Sequence, residues 1–287
     1  MSTGEEVFRR LQAAARSTAS KTGSPAPTQE YLTRHVLESF LDRLTRSRHG
    51  DAFVIKGGIL LASYGWRRAT KDVDVNAISA DVTPAHLTEL VRDLAAMELD
   101  DGVVFDAGSI EVTEIREEAD YPGFRVRFGA RLGVWRGAAA WDVSTGDPIV
   151  PPPRMVRIER VDGDPIEVLG YAAETSIAEK GVTILERGIT STRWRDYVDI
   201  VQLDGQEINR DDLRLAAAAV AAHRGVLLQP VSRVLAGYGQ VAQAKWAAWR
   251  RKERLEAVAD ELLDDQIARV AAVLDPIFGP PSTQEDL

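Results

Sequence analysis

Residues 52–78 read AFVIKGGILLASYGWRRATKDVDVNAI, and this stretch predicts the core of the fold. The apolar run at 53–55 predicts a short buried strand, and the double glycine after it predicts a break before a helical turn. Acids alternate with valines from residue 72, which predicts a second strand over 72–78. Side chains two residues apart in a strand share a face, so Asp72 and Asp74 are predicted to point the same way. Because adjacent carboxylates repel each other, this arrangement favours a bound divalent cation.

The double glycine, Gly57 and Gly58, is typical of a phosphate-binding turn close to the two acids. A strand that ends at such a pair and opens a helix leaves backbone N–H groups free to hold a phosphate. The 13 residues between Gly58 and Asp72 are enough for a helix and a return loop, so the phosphate cradle and the acids can meet. Either motif alone is common as an ordinary turn or strand edge. Their order and spacing together favour a nucleotidyltransferase site.

The same segment resembles the polymerase-beta-like nucleotidyltransferase superfamily. More narrowly, residues 56–58 with 68–74 are similar to the AbiEii-type toxins of bacterial type IV toxin–antitoxin pairs, and the similarity covers roughly residues 50–205. The resemblance implies an α+β fold, in which a polymerase-beta-like nucleotidyltransferase core with a mixed sheet precedes a C-terminal helical domain. The order of predicted strands and helices agrees with that fold class. The residues predicted to bind the nucleotide are Lys56, Gly57, Gly58, Arg68, Thr70 and Lys71.

Asp142 is the candidate third acid of the site. A strand is predicted over 138–143, and members of the superfamily generally complete their metal site with a carboxylate from a neighbouring strand. Asp147, in a Gly-Asp-Pro turn, is instead a typical turn former. The predicted metal ligands are therefore Asp72, Asp74 and Asp142. The sequence has no cysteine and its four histidines lack ligand spacing, so oxygen ligands favour Mg²⁺ or Mn²⁺ as the cofactor.

A second candidate cluster lies in residues 174–200, ETSIAEKGVTILERGITSTRWRDYVDI. This segment is similar to the second signature of AbiEii-type toxins, in which the lysine and the first aspartate are functional. The resemblance implies catalytic roles for Lys180 and Asp196, in addition to Asp72 and Asp74. A lysine is a compact charge that suits a triphosphate or a departing pyrophosphate. The alternative is a salt bridge between two helices that has no part in catalysis.

Length and composition indicate an ordinary globular chain. Of its 287 residues, 45% are hydrophobic, which is enough for a sizeable core, and no run of about 18 uncharged apolar residues occurs. The N-terminus lacks the apolar core of a signal peptide, so we expect a cytoplasmic protein with no membrane partner. Three parts are predicted: N-terminal helices over 1–50, the nucleotidyltransferase core over 51–170 and a helical domain over 171–287.

Basic residues are unevenly distributed in this chain of net charge −9. That charge argues against a protein that coats nucleic acid without specificity, although residues 124–136 contain four arginines and no acid. In the helix predicted from Thr28, a polar side is expected to face solvent, with Arg34, Arg43, Arg46 and Arg48. One helix is predicted over 231–249. For Trp246 and Trp249 in it, core packing is the favoured interpretation and RNA stacking the alternative.

The site residues predict nucleotidyl transfer from an NTP to RNA, and the resemblance to AbiEii-type proteins implies that the enzyme is a toxin. By the resemblance, the expected acceptor is the 3′ end of a tRNA, and its modification would block translation and growth. A cognate antitoxin encoded nearby is the expected partner. Transfer to a protein or to a small molecule is an alternative that the same residues would serve. A non-catalytic module that binds GTP or a partner is the second alternative.

Overall fold

The computed structural model describes residues 2–23, 26–115 and 123–279. The chain divides into two compact units, and the first comprises Met1–Gly146 and Arg154–Gly170. The helices of this unit are α1 (Thr3–Thr22), α2 (Thr28–Arg46), α3 (Gly57–Leu60) and α4 (Pro84–Ala95). Its strands are β1 (Phe53–Lys56), β2 (Val73–Ala77), β3 (Val103–Ile115), β4 (Gly123–Leu132), β5 (Trp135–Thr145), β6 (Arg154–Ile158) and β7 (Ile166–Gly170). Short 3-10 helices lie at Gly50–Ala52 and Leu61–Tyr64.

The seven strands form one mixed sheet in the order β3-β4-β5-β2-β1-β7-β6. β2 pairs with β5 in parallel, β1 pairs with β7 in parallel, and the other neighbouring strands are antiparallel. The two strands predicted from residues 52–78 therefore lie side by side in the middle of the sheet. The mixed sheet, together with the helical C-terminal unit described below, confirms the predicted α+β class.

One face of the sheet is buried beneath α2. Phe40 of α2 packs against Phe128 of β4 and Trp141 of β5, with ring centroids 5.1 and 5.5 Å apart. Val73 and Val75 of β2 are at most 1% exposed, and Val73 pairs with Trp141 across β2 and β5. Burial of each such side chain stabilises the fold by about 1.5–3 kcal/mol. Because strand side chains alternate, the residues between these positions face the opposite side of the sheet.

The polar side of α2 differs from the prediction at Arg43. Its side chain is only 2% exposed, and its guanidinium donates to Asp101 at 2.7 Å and to the carbonyl of Val103 at 3.2 Å. Ser39 donates to the same carboxylate at 2.6 Å. The expectation that Arg43 faces solvent is therefore wrong. The chain just before β3 brings a buried carboxylate to this helix, and the pattern of the helix alone does not reveal that carboxylate.

The second unit comprises Asp147–Pro153 and Tyr171–Leu287. Its helices are α5 (Ala173–Arg187), α6 (Trp194–Asp204), α7 (Arg210–Arg224), α8 (Val231–Val234), α9 (Tyr238–Glu253) and α10 (Leu263–Phe278). Thr175 of α5 donates to the carbonyl oxygen of Val150 at 2.6 Å, which ties the 147–153 segment to this unit. Within the described residues of both units, no helix has the length and the apolar character that a membrane span requires.

The helix predicted over 231–249 is two helices, α8 and α9. Gly237 precedes α9 with a left-handed backbone of φ +76°, a conformation that glycine adopts at little cost. Trp246 of α9 is fully buried and stacks on Trp249, with ring centroids 5.2 Å apart. The packing interpretation is confirmed for Trp246, because a fully buried ring is not available to an RNA base.

Candidate active site

The turn from β1 into α3 requires a glycine at position 57. Gly57 has a φ of +66°, and a Cβ at this position would lie 1.9 Å from Oδ2 of Asp74. Asp74 is opposite Lys56 in the antiparallel pair of β1 and β2, so the chain that leaves β1 passes directly over the carboxylate. The backbone of the glycine turn is therefore in contact with one of the predicted acids.

Asp72, Asp74 and Asp142 form what we call the acidic cluster. Asp74 pairs with Asp142 in the parallel register of β2 and β5, and Asp72 precedes Asp74 by two residues. One carboxylate oxygen from each residue lies within 4.8 Å of the other two, and all three residues are half-buried. Three carboxylate oxygens at this separation are a hard, oxygen-only set of donors, which fits Mg²⁺ or Mn²⁺. The structure thus brings together the three acids that the sequence singled out.

Arg125 of β4 is a member of this site that the sequence interpretation missed. It lies opposite Asp142 across β4 and β5, and its Nε and Nη2 donate to the two oxygens of Asp142 at 2.7 and 2.6 Å. The same Nη2 donates to Asp72 at 3.3 Å. The hydrogen bond with Asp142, supported by the surrounding carboxylate charges, raises the pKa of Arg125 above its ordinary value. Its cation offsets part of the repulsion within the acidic cluster.

The loop before β2 places Thr70 and Arg68 against Gly58. Thr70 donates its hydroxyl to Oδ1 of Asp72 at 3.3 Å. A Cβ at Gly58 would lie 2.7 Å from Oγ1 of Thr70 and 3.3 Å from a guanidinium nitrogen of Arg68. A larger residue at position 58 would therefore push this hydroxyl and this cation away from the start of α3.

A cleft adjoins the same loop, and Gly58 is one of the residues that line it. Its volume is about 400 Å³, including the part that is open to solvent. Its wall on α2 is fixed by Glu38, which accepts hydrogen bonds from Arg34 at 2.5 Å and from the backbone N–H of Val161 at 2.7 Å.

The two lysines predicted to bind the nucleotide differ in environment. Lys56 is buried at the end of β1, whereas Lys71 is exposed in the loop.

In the second unit, Lys180 of α5 is held by two acids of α6. Its Nζ donates to Oδ1 of Asp196 at 2.8 Å and to Oδ2 of Asp199 at 2.9 Å. Arg193 donates to the second oxygen of Asp196 at 2.8 Å. The structure thus brings the predicted residues Lys180 and Asp196 into contact and adds Asp199, which the sequence interpretation missed. The signal was available, since residues three apart share one face of a helix.

Asp196 is charged although its side chain is only 4% exposed. Burial acts to raise its pKa, but the charges and hydrogen bonds of Lys180 and Arg193 outweigh burial, so the pKa of Asp196 lies below its ordinary value. Both of its oxygens already accept hydrogen bonds from cations. The geometry therefore suits a carboxylate that orients Lys180 better than one that removes a proton from a substrate.

Comparison with known proteins decides the family. A family model described as nucleotidyl transferase AbiEii toxin, type IV TA system, matches residues 39–278. The chain belongs to the AbiEii nucleotidyltransferase toxin family. The matched residues include both the acidic cluster and Lys180, and the match confirms the resemblance noted in the sequence.

Solved structures share the fold at low sequence identity. The crystal structure of JHP933 from Helicobacter pylori aligns with a TM-score of 0.51 at 15% identity, over 87% of this chain and 92% of that one. A crystal structure described as a "putative nucleotidyltransferase" from H. pylori aligns with a TM-score of 0.50 at 16% identity, over 87% and 95%. A search of curated proteins finds no significant match. At such identities these likenesses establish the fold only.

Membership of the AbiEii family makes this protein a toxin of a type IV toxin–antitoxin system. A nucleotide substrate and a cognate antitoxin follow from that membership. The acidic cluster fits the family's nucleotidyltransferase activity, because carboxylate oxygens suit a divalent metal ion.

Proposed function

We propose that this AbiEii toxin transfers a nucleoside monophosphate from an NTP to a hydroxyl of RNA, with the 3′ end of a tRNA as the acceptor. The reaction requires Mg²⁺ or Mn²⁺ and takes place in the cytoplasm. The observation that carries the proposal is the convergence of Asp72, Asp74 and Asp142 beside the glycine turn at Gly57. An added nucleotide at the 3′ end of a tRNA prevents aminoacylation, so translation and growth stop until the antitoxin neutralises the toxin.

The acidic cluster holds the divalent ion in this proposal. Bound there, a divalent ion would supply Lewis-acid stabilisation of the charge that develops on the phosphates. The acceptor hydroxyl oxygen forms a bond to the α-phosphorus, while the bond from that phosphorus to the β-phosphate oxygen breaks and pyrophosphate leaves with the electron pair. The hydroxyl proton passes to a carboxylate oxygen of the acidic cluster and from there to solvent.

The glycine turn and the loop before β2 hold the triphosphate. Gly57 and Gly58 present backbone N–H groups at the start of α3, where such groups have no partner earlier in the helix. The hydroxyl of Thr70, which donates to Oδ1 of Asp72 at 3.3 Å, would turn to donate to a phosphate oxygen when the nucleotide binds. Further positive charge for the triphosphate comes from Lys56, Arg68 and Lys71.

Lys180 neutralises negative charge on the triphosphate and then on the departing pyrophosphate. Asp196 and Asp199 orient its ammonium group. The orienting role of the two acids is supported by the short hydrogen bonds that Lys180 donates to them, and Asp196 also accepts from a second cation, Arg193.

The test is to incubate the purified protein with tRNA, Mg²⁺ and each α-labelled NTP in turn. The wild type is expected to label RNA, and Asp72→Asn and Asp142→Asn are expected to lose label transfer and to bind Mn²⁺ more weakly in calorimetry. Asp81→Asn is the matched control, since Asp81 is an exposed acid of the same unit outside the acidic cluster. Equal labelling by all three variants would overturn the site. Label in protein instead of RNA would overturn the acceptor.

A further inference from the structure

The outward side of β4 carries a row of arginines that begins at the acidic cluster. Arg125, Arg127 and Arg131 alternate with the buried residues of the strand, and all three are exposed. Arg136 of β5 lies directly opposite Arg131 and is exposed as well. We call Arg127, Arg131 and Arg136 the arginine face. It is the opposite side of the sheet from the one that packs against α2.

In the part of the chain that the structure describes, the arginine face forms no ion pair, although two acids of β3, Asp106 and Glu111, lie on the same side of the sheet. Like charges directly opposite each other on antiparallel strands are destabilising, and Arg131 and Arg136 are such a pair. Glu111 of β3 lies opposite Arg127, yet the two side chains form no ion pair. Over residues 2–23, 26–115 and 123–279, no carboxylate pairs with any arginine of the face. Exposed arginines that form no ion pair with a described carboxylate, two of them directly opposite each other, suit a polyanionic ligand in a chain of net charge −9.

On the β5 side of the arginine face, the residues between the arginines are small. On the β5 side, Gly129 lies opposite Ala138 and Arg127 lies opposite Ala140, so only small side chains separate the arginines there. On the β3 side, the exposed Asp106 lies opposite Gly129, and its Oδ2 would be 3.8 Å from a Cβ at that position. A backbone of phosphates and sugars can therefore approach the sheet closely from the β5 side while arginines contact its phosphates.

The arginine face continues from the proposed catalytic site. Arg125 binds Asp142 of the acidic cluster, and Arg127 is the next outward residue of the same strand, about 6.8 Å further on. Arg131 is about 20 Å from Arg125 along the strand. Cations thus extend from the reacting groups over the length of a few nucleotides.

We propose that the arginine face binds the phosphate backbone of single-stranded RNA next to the 3′ end that accepts the nucleotide. This inference rests on the proposed function and adds to it the surface that holds the acceptor strand. Single-stranded RNA is the ligand because an extended backbone can follow one strand of an open sheet, with its phosphates on one row of cations. The arginines position the acceptor and take no part in the chemistry at phosphorus.

The experiment compares the double variant Arg131→Gln/Arg136→Gln with a matched control. Arg16 of α1 and Arg92 of α4 are exposed, and Arg16→Gln/Arg92→Gln removes the same charge from elsewhere in the unit. Binding of a fluorescent single-stranded RNA that ends in the tRNA acceptor sequence is measured by anisotropy between 50 and about 300 mM salt, over which phosphate contacts weaken. NTP binding and the melting temperature are measured on the same proteins.

The face variant is expected to bind RNA at least about tenfold more weakly than wild type. The slope of log affinity against log salt should fall in magnitude by about 1.4, or 0.7 for each lost phosphate contact. Its NTP affinity should not change, and its melting temperature should stay the same or rise because a repulsive pair is gone. The control variant should keep the wild-type RNA affinity to within about twofold.

Two results separate the failure of this inference from the failure of the proposed function. Wild-type RNA binding with an unchanged slope in the face variant overturns the role of the arginine face and leaves the proposed function intact. An absence of RNA binding and RNA labelling in the wild type overturns the proposed function itself. Likewise, if the face variant binds an acidic protein more weakly than wild type does while its RNA affinity is unchanged, the face binds another ligand.

Discussion

Replacement of Gly57 by alanine tests whether the glycine turn and the acidic cluster act together. The backbone cost of an alanine at φ +66° is about 1–2 kcal/mol. The steric effect is more specific, because the new Cβ would lie 1.9 Å from Oδ2 of Asp74 and 2.5 Å from its carboxylate carbon. An ordinary contact distance is about 3.5 Å, so the carboxylate must move by about 1.5 Å. A misplacement of about 1 Å in a catalytic site can cost about 100-fold in rate.

Gly65→Ala is the matched control for this variant. Gly65 has a φ of +73°, and a Cβ there would meet nothing within 4 Å. Both variants therefore carry the same backbone cost, and each is expected to lower the melting temperature by about 2–8 °C. Only Gly57→Ala displaces a carboxylate, so only this variant is expected to lose about 100-fold in label transfer. It should also bind Mn²⁺ more weakly in calorimetric titrations.

One outcome would refute this reasoning. If Gly57→Ala keeps its rate of label transfer and its Mn²⁺ affinity within about threefold of those of Gly65→Ala, the contact with Asp74 does not control the site. Comparison with Gly65→Ala ensures that a general loss of stability is not mistaken for displacement of the Asp74 carboxylate.

Two further predictions concern the charged groups. Arg125→Gln removes a cation from the acidic cluster, so affinity for Mn²⁺ should rise by about tenfold in calorimetry. The melting temperature should change little, because Arg125 is 45% exposed and solvent screening reduces the pair to about 0–1 kcal/mol. Lys180→Met leaves Asp196 and Asp199 buried without their shared cation, which should cost about 3–5 kcal/mol in urea unfolding at pH 7. Because the folded pKa of Asp196 is lowered, its stabilisation is present above its unfolded pKa of about 3.9 and is lost as pH falls through the folded pKa. The advantage of wild type over Lys180→Met should therefore shrink on acidification, in melts from pH 7 to pH 3; an advantage that is constant over this range would contradict the assignment.

Local patterns were sufficient where the interacting residues are close in the chain. The strand, glycine turn and second strand of residues 52–78 follow from apolar runs, glycine punctuation and alternation, and the structure has β1 and β2 at these positions. The same reasoning failed at Arg43 of α2. A helical pattern shows which residues are polar. The carboxylate that pairs with this buried arginine belongs to Asp101, which lies 58 residues further along the chain.

Arg125 and Asp199 show two different reasons for missing a residue. Asp199 follows Asp196 by three positions on one helix face, so the sequence contained its signal. Arg125 was one of four arginines in an acid-free segment, and nothing local distinguishes it from the others. Its contact with Asp142 depends on the register of β4 against β5, and a shift of one residue would turn its side chain to the buried face.

The sequence by itself identified the candidate residues for binding a triphosphate and a metal ion, because the glycine turn and the alternating acids lie within one short segment. Only the tertiary structure decided that Asp142 stands beside Asp74 and that Arg125 binds it. Asp142 reaches Asp74 through the pairing of β5 with β2, which lies far back in the chain, and Arg125 reaches Asp142 through the register of the β4–β5 hairpin. Pairing of that kind is set by the burial of Phe40, Phe128 and Trp141 on the far face of the sheet, which fixes the side to which every charged residue turns.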